Sequence, residues 1–100
     1  MGVVKYSLRA KKDLNIVLQY LKENWPENVT DDFLDSLEKL ELQMQSMPNS
    51  FPSTIIKSKI FKRARLTKHN AVYFIVKAKS INIVAIHDTR QKNKHPKKLK

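Results

Sequence analysis

Apolar residues recur with a helical period along the first half of the chain and with the period of strands along the second. Val3, Val4 and Tyr6 mark a short opening strand, and Ser7 stands where an N-cap side chain would accept from the first amides of a helix starting near Leu8. Ala10, Leu14, Val17, Leu18 and Leu21 then share one face of that helix. Pro26 predicts that it stops near Asn24, because proline lacks a backbone donor and disfavours helical geometry at Trp25. Asn28 or Thr30 is expected to cap a second helix, with Asp31 and Asp32 near its positive end. Phe33, Leu37, Leu40, Met44 and Met47 form its apolar stripe as far as Pro48, and the methionines at this spacing read as core. The short NWPEN connection predicts an antiparallel helix hairpin.

Residues 48–54, PNSFPST, read as a hinge, and the periodicity changes beyond them. In residues 59–66, Ile60, Ala64 and Leu66 alternate with Phe61, Arg63 and Arg65, so one side of this strand is apolar and the other partly basic. Residues 71–76, AVYFIV, suit a central strand covered on both faces, and residues 80–86, SINIVAI, follow at hairpin distance. The expected fold class is α+β, in the order β-α-α-β-β-β, with the helix hairpin packed on one face of a mostly antiparallel four-stranded sheet. Residues 1–100 are expected to form one domain with a basic tail at about residues 91–100. With no third helix, the other sheet face is expected to stay open to a partner.

Charge sharpens that picture. The net charge is +11, yet residues 1–58 hold 7 basic and 8 acidic groups while residues 59–100 hold 13 basic groups and 1 acidic. So uneven a distribution favours an anionic partner. The absence of cysteine excludes a disulfide framework and thiolate metal sites, and a reducing cytoplasm is the expected location. No apolar run reaches membrane-spanning length and no export signal opens the chain, so no membrane role is expected.

The segments SLRAKKDLNIVLQYL, FLDSLEKLELQMQSMPNSFP and RARLTKHNAVYFIVKAKSINIVAIHDTRQ together resemble the RelE/ParE superfamily of bacterial toxins over nearly the whole chain. The resemblance rests on Ala10 with Asp13 and Leu14, the Met47-Pro48 to Phe51-Pro52 punctuation, Val72-Tyr73 and the closing IHDTRQ. It implies the toxin of a type II toxin-antitoxin, or plasmid stabilisation, system, neutralised by a cognate antitoxin whose extended or helical segment wraps it. It also implies one of two targets: DNA gyrase, poisoned by ParE-like members, or the ribosome with its mRNA, which RelE-like members cut. No cofactor is implied.

Metal-independent RNA cleavage needs a base for the 2′-hydroxyl, an acid for the leaving oxygen and cations around the phosphate. Candidates for those tasks are Arg63, Arg65, His87 and Arg90. A wider surface for a partner or a phosphate would add Phe61, Lys68, Lys92 and Lys94. Two departures weigh against cleavage. Asn70 occupies the position where RelE-like nucleases carry an arginine before the valine-tyrosine pair, and a neutral amide cannot replace a cation at a phosphate. Their C-terminal tyrosine also has no counterpart, since no tyrosine follows Tyr73, although His87 or His95 could titrate in its place. His69, His87 and His95 lack metal-site spacing. The reading that follows is a growth-inhibiting toxin with gyrase as target, ahead of mRNA cleavage and of a plain nucleic-acid-binding module.

Overall fold

The computed structural model describes residues 2–89. Strand β1 (Val3–Tyr6) leads into helix α1 (Leu8–Asn24), and helix α2 (Glu27–Ser46) follows after the Trp25-Pro26 turn. A 3-10 turn at Pro48–Ser50 then delivers the chain to β2 (Ser53–Ile56), β3 (Lys59–Thr67), β4 (Asn70–Val76) and β5 (Ser80–Asp88). One sheet has the spatial order β1-β5-β4-β3-β2, with β1 parallel to β5 and every other pairing antiparallel.

The element order matches the sequence pattern, with one strand more than expected. Four residues of β2 lie in what reads as a hinge, too short to display alternation, and they pair Ser53–Ile56 against Lys59–Lys62 through a two-residue turn at Lys57 and Ser58. Ser7 caps α1 as expected, its Oγ accepting from the Ala10 amide at 3.0 Å, and α1 stops at Asn24. Neither Asn28 nor Thr30 caps α2. That helix starts a turn earlier behind Pro26, whose ring presets the backbone angle for an entry. Thr30 is instead buried inside the first turns. The α2 stripe is buried from Phe33 to Met44, but Met47 lies past the last helical turn and is 54 % exposed, which corrects its placement in the core.

The main core lies between the helices and the sheet, where Ala10, Leu40 and Met44 meet Ala64, Val72, Phe74, Ile81, Ile83 and Ile86. The apolar spacing at 81, 83 and 86 is not simple alternation. Tyr73 pairs with Ala85 and Phe74 with Ile83, so Val84 is an extra residue that restores Ile86 to the helix side. Where β1 ends, α1 takes over the edge of β5. Ser7 N donates to Ile83 O at 2.9 Å, Ser7 Oγ donates to Val84 O at 3.1 Å, and Asp13 Oδ2 accepts from the Ile86 amide at 3.0 Å. Each contact satisfies a backbone group that the short β1 leaves without a ladder partner. At the other end of β1, a side chain at Gly2 would place its Cβ 3.0 Å from the Ser80 backbone, so any larger residue would push the two strands apart by a few tenths of an ångström.

Candidate functional site

The sheet face away from the helices carries the residues suited to phosphate chemistry. Paired residues share a face, and the register sets Arg63 beside Tyr73 beside Ala85, and Arg65 beside Ala71 beside His87. Arg63 Nε donates to the Tyr73 hydroxyl at 3.1 Å, and its guanidinium carbon stands 5.8 Å from the Tyr73 ring centroid. The His87 ring meets Tyr73 edge-on with centroids 6.4 Å apart. Arg63 and Arg65 thus share a face, as the strand pattern predicts, and the register adds His87, which the pattern placed only in the same sheet, and Tyr73, which it assigned to a covered strand.

This face is closed at its centre, contrary to the expectation of an open contact surface. Phe61 is 3 % exposed, His87 5 % and Tyr73 wholly buried. The reason is packing: Ile56, Phe61 and Tyr73 cluster with Ala71, Val84 and Ala85, and the two alanine methyls leave room for the aromatic rings. Phe61 is therefore a packing residue, and among the candidates on this face Arg65 alone is exposed. Lys68 is exposed at the β3–β4 turn. Asn70 serves that turn, its Oδ1 accepting from Thr67 Oγ1 at 2.8 Å, while Thr67 Oγ1 accepts from the His69 amide at 3.2 Å. Arg90, Lys92, Lys94 and His95 lie outside the described residues.

The open surface lies elsewhere. A groove of about 720 Å³ runs between the two helices and the β3–β4 turn end of the sheet. Its walls are apolar: Ile16, Val17, Tyr20 and Leu21 from α1, Trp25 from the turn, and Val29 and Phe33 from α2. Ile16 is 68 % exposed and Trp25 53 %. The rim carries both signs of charge, with Arg9 and Asp13 paired at 3.6 Å and Asp32, His69 and Asp88 nearby. The α1 stripe explains why the groove exists. Ala10 is fully buried, but Val17 and Leu21 are only partly covered, so the stripe runs out of core halfway along the helix. The signal in the sequence was the surplus of large apolar residues beside that stripe, at Ile16, Tyr20 and Trp25.

Among the described residues, no cluster of histidine, cysteine and carboxylate side chains could hold a metal, and no helix is long and apolar enough to cross a membrane.

The sequence model of the ParE toxin of the type II toxin-antitoxin system parDE matches residues 4–93. The chain belongs to the ParE toxin family. No curated protein matches it in sequence. Solved structures share its fold at low identity. The chromosomal ParDE system from P. aeruginosa has 18 % identity and a TM-score of 0.66, over 88 % of this chain and 96 % of that one. The copper-bound mutant toxin from Helicobacter pylori has 12 % identity and a TM-score of 0.62, over 93 % and 100 %. The E. coli DinJ-YafQ complex has 11 % identity and a TM-score of 0.57, over 90 % and 96 %. For a ParE-family chain this distant from them, such likeness establishes the RelE/ParE-like fold, two helices against a mixed sheet.

Proposed function

We propose that this ParE-family toxin arrests growth by binding DNA gyrase rather than by cutting mRNA, and that a cognate antitoxin neutralises it by occupying the groove between the helices and the sheet. One observation carries the first half of this reading. The Tyr73 hydroxyl accepts from Arg63 and is wholly buried, and His87, at the sheet end of the groove, keeps only 5 % of its surface exposed. A general acid or base must reach the proton that it moves, and burial of this kind opposes that. Asn70, engaged in the β3–β4 turn, supplies no cation for a phosphate.

The groove supports the second half. Its exposed aromatic and branched residues suit an amphipathic helix laid into an apolar channel, with the mixed rim charges fixing its orientation. The ParDE toxin-antitoxin system and the DinJ-YafQ complex, which share this fold, favour a protein partner of this kind. Inducing the chain in a bacterium tests the reading. The expected result is growth arrest with gyrase trapped on broken DNA, relieved by co-expression of the antitoxin. Arrest with intact gyrase and messages shortened at codon-phased ends would overturn it.

A further inference from the structure

From Leu42 to His87 the chain carries eight lysines and arginines and no carboxylate. Four of these cations are occupied or placed elsewhere: Lys62 Nζ donates to Phe51 O at 3.2 Å, Arg63 binds Tyr73, Arg65 stands beside Ala71 on the far face, and Lys68 lies at the β3–β4 turn. Four others gather by topology. Because β3 is antiparallel to both β2 and β4, and β4 to β5, the β2–β3 and β4–β5 turns emerge at the same end of the sheet, opposite the groove. Lys57 and Lys59 belong to the first turn and Lys77 and Lys79 to the second, and all four are exposed. Among the described residues, no carboxylate lies within ion-pair distance of any of them.

Two features show that the fold keeps these lysines at a cost. Lys57 and Ser58 hold φ of 49° and 68°, the left-handed region in which a two-residue hairpin turn favours Asn-Gly. The β3–β4 pairing ends at Lys62 and Phe74, and Lys59 and Lys77 lie beyond it at the same end of the sheet. Like charges gathered at one end repel one another. A counter-ion from outside would relieve that repulsion.

We propose that this end of the sheet binds the phosphate backbone of duplex DNA. Lysine ammonium groups are compact point charges suited to phosphates, with no planar fork to read base edges. The exposed apolar neighbours at this end, Ile55, Ile60 and Val76, are aliphatic, so among the described residues no stacking platform for single-stranded bases accompanies the cations. Contact here is electrostatic and independent of sequence, and it leaves the groove free for a protein partner. The inference does not rest on gyrase being the target.

The test is fluorescence anisotropy of the full chain with a short labelled duplex, titrated at several salt concentrations. The quadruple variant Lys57→Gln, Lys59→Gln, Lys77→Gln, Lys79→Gln should bind at least about tenfold more weakly at low salt, with a log–log salt slope shallower by roughly 2 to 3.6. A second quadruple variant, Lys11→Gln, Lys12→Gln, Lys22→Gln, Lys39→Gln, removes the same charge from exposed helix positions and should lose far less. Equal losses in the two variants would overturn the proposal, since net charge alone would then explain binding. Circular dichroism checks that both fold. Lysine acetylation of the unaltered chain gives an independent reading: DNA should protect Lys57, Lys59, Lys77 and Lys79 selectively, and uniform protection would overturn the assignment.

Discussion

On the side of the sheet away from the helices, Arg63 is bonded to Tyr73 and His87 packs edge-on against it, whereas at the groove Ile16, Tyr20 and Trp25 stand exposed among the described residues. The first region holds the chemically capable groups and spends them on structure. The second has apolar helix walls, with His87 and the rim charges at its sheet end, and leaves large hydrophobic surface in contact with water, which a stable protein tolerates where a partner will bury it. The contrast favours a toxin that acts and is controlled through contact surfaces.

The comparison breaks most visibly at Phe61. If the far face is packed core, Phe61→Ala should cost about 3–5 kcal/mol of unfolding free energy in urea titrations; a loss below about 1 kcal/mol would mean that the face is a surface after all. Trp25→Ala should behave in the opposite way. We expect antitoxin binding to weaken by about 2 kcal/mol or more in calorimetry, with stability nearly unchanged, because an exposed aromatic anchor contributes mainly to the complex. Asp13→Ala should destabilise by about 1–3 kcal/mol, since the Ile86 amide at the groove edge loses its acceptor. Tyr73→Phe should cost about 1.5–3 kcal/mol, the worth of one hydrogen bond from a charged donor, and should leave growth arrest intact. Loss of arrest in that variant, with the fold retained, would give the buried hydroxyl a chemical role.

The smallest effect concerns Tyr6, which donates to Glu41 across the β1–α2 contact. Burial, then the hydrogen bond and the charge of Glu41, push its phenol well above the ordinary range near 10. A raised folded-state value means that its contribution to stability is complete below about pH 10 and declines as pH rises further. Comparing thermal midpoints of the unaltered chain and Tyr6→Phe between neutral and strongly alkaline pH should show the gap between them narrowing above that point. A constant gap would remove Tyr6 from the linkage.

Much of the architecture was legible in the sequence because local signals agreed: Ser7 and Pro26 bracket α1, Phe33 to Met44 keep a helical period, and the three long strands alternate or run apolar. What escaped depended on tertiary context. Four residues of β2 are too few for a period, and the bulge at Val84 hides the true alternation of β5. Pattern placed Arg63, Arg65 and Phe61 on one face, yet it could not reveal that two small residues, Ala71 and Ala85, let Phe61 and Tyr73 close that face. The groove was half visible. Ile16, Tyr20 and Trp25 are surplus apolar residues in the sequence, but only the folded helix pair shows them lining one channel.

The most direct measurement incubates the purified full-length chain with DNA gyrase, ATP and plasmid, then traps any covalent intermediate with detergent. The account predicts linearised plasmid whose amount rises with toxin and falls to background when the antitoxin is added first. Unchanged supercoiling with no trapped breaks, alongside cleavage of mRNA on translating ribosomes by the same preparation, would contradict it.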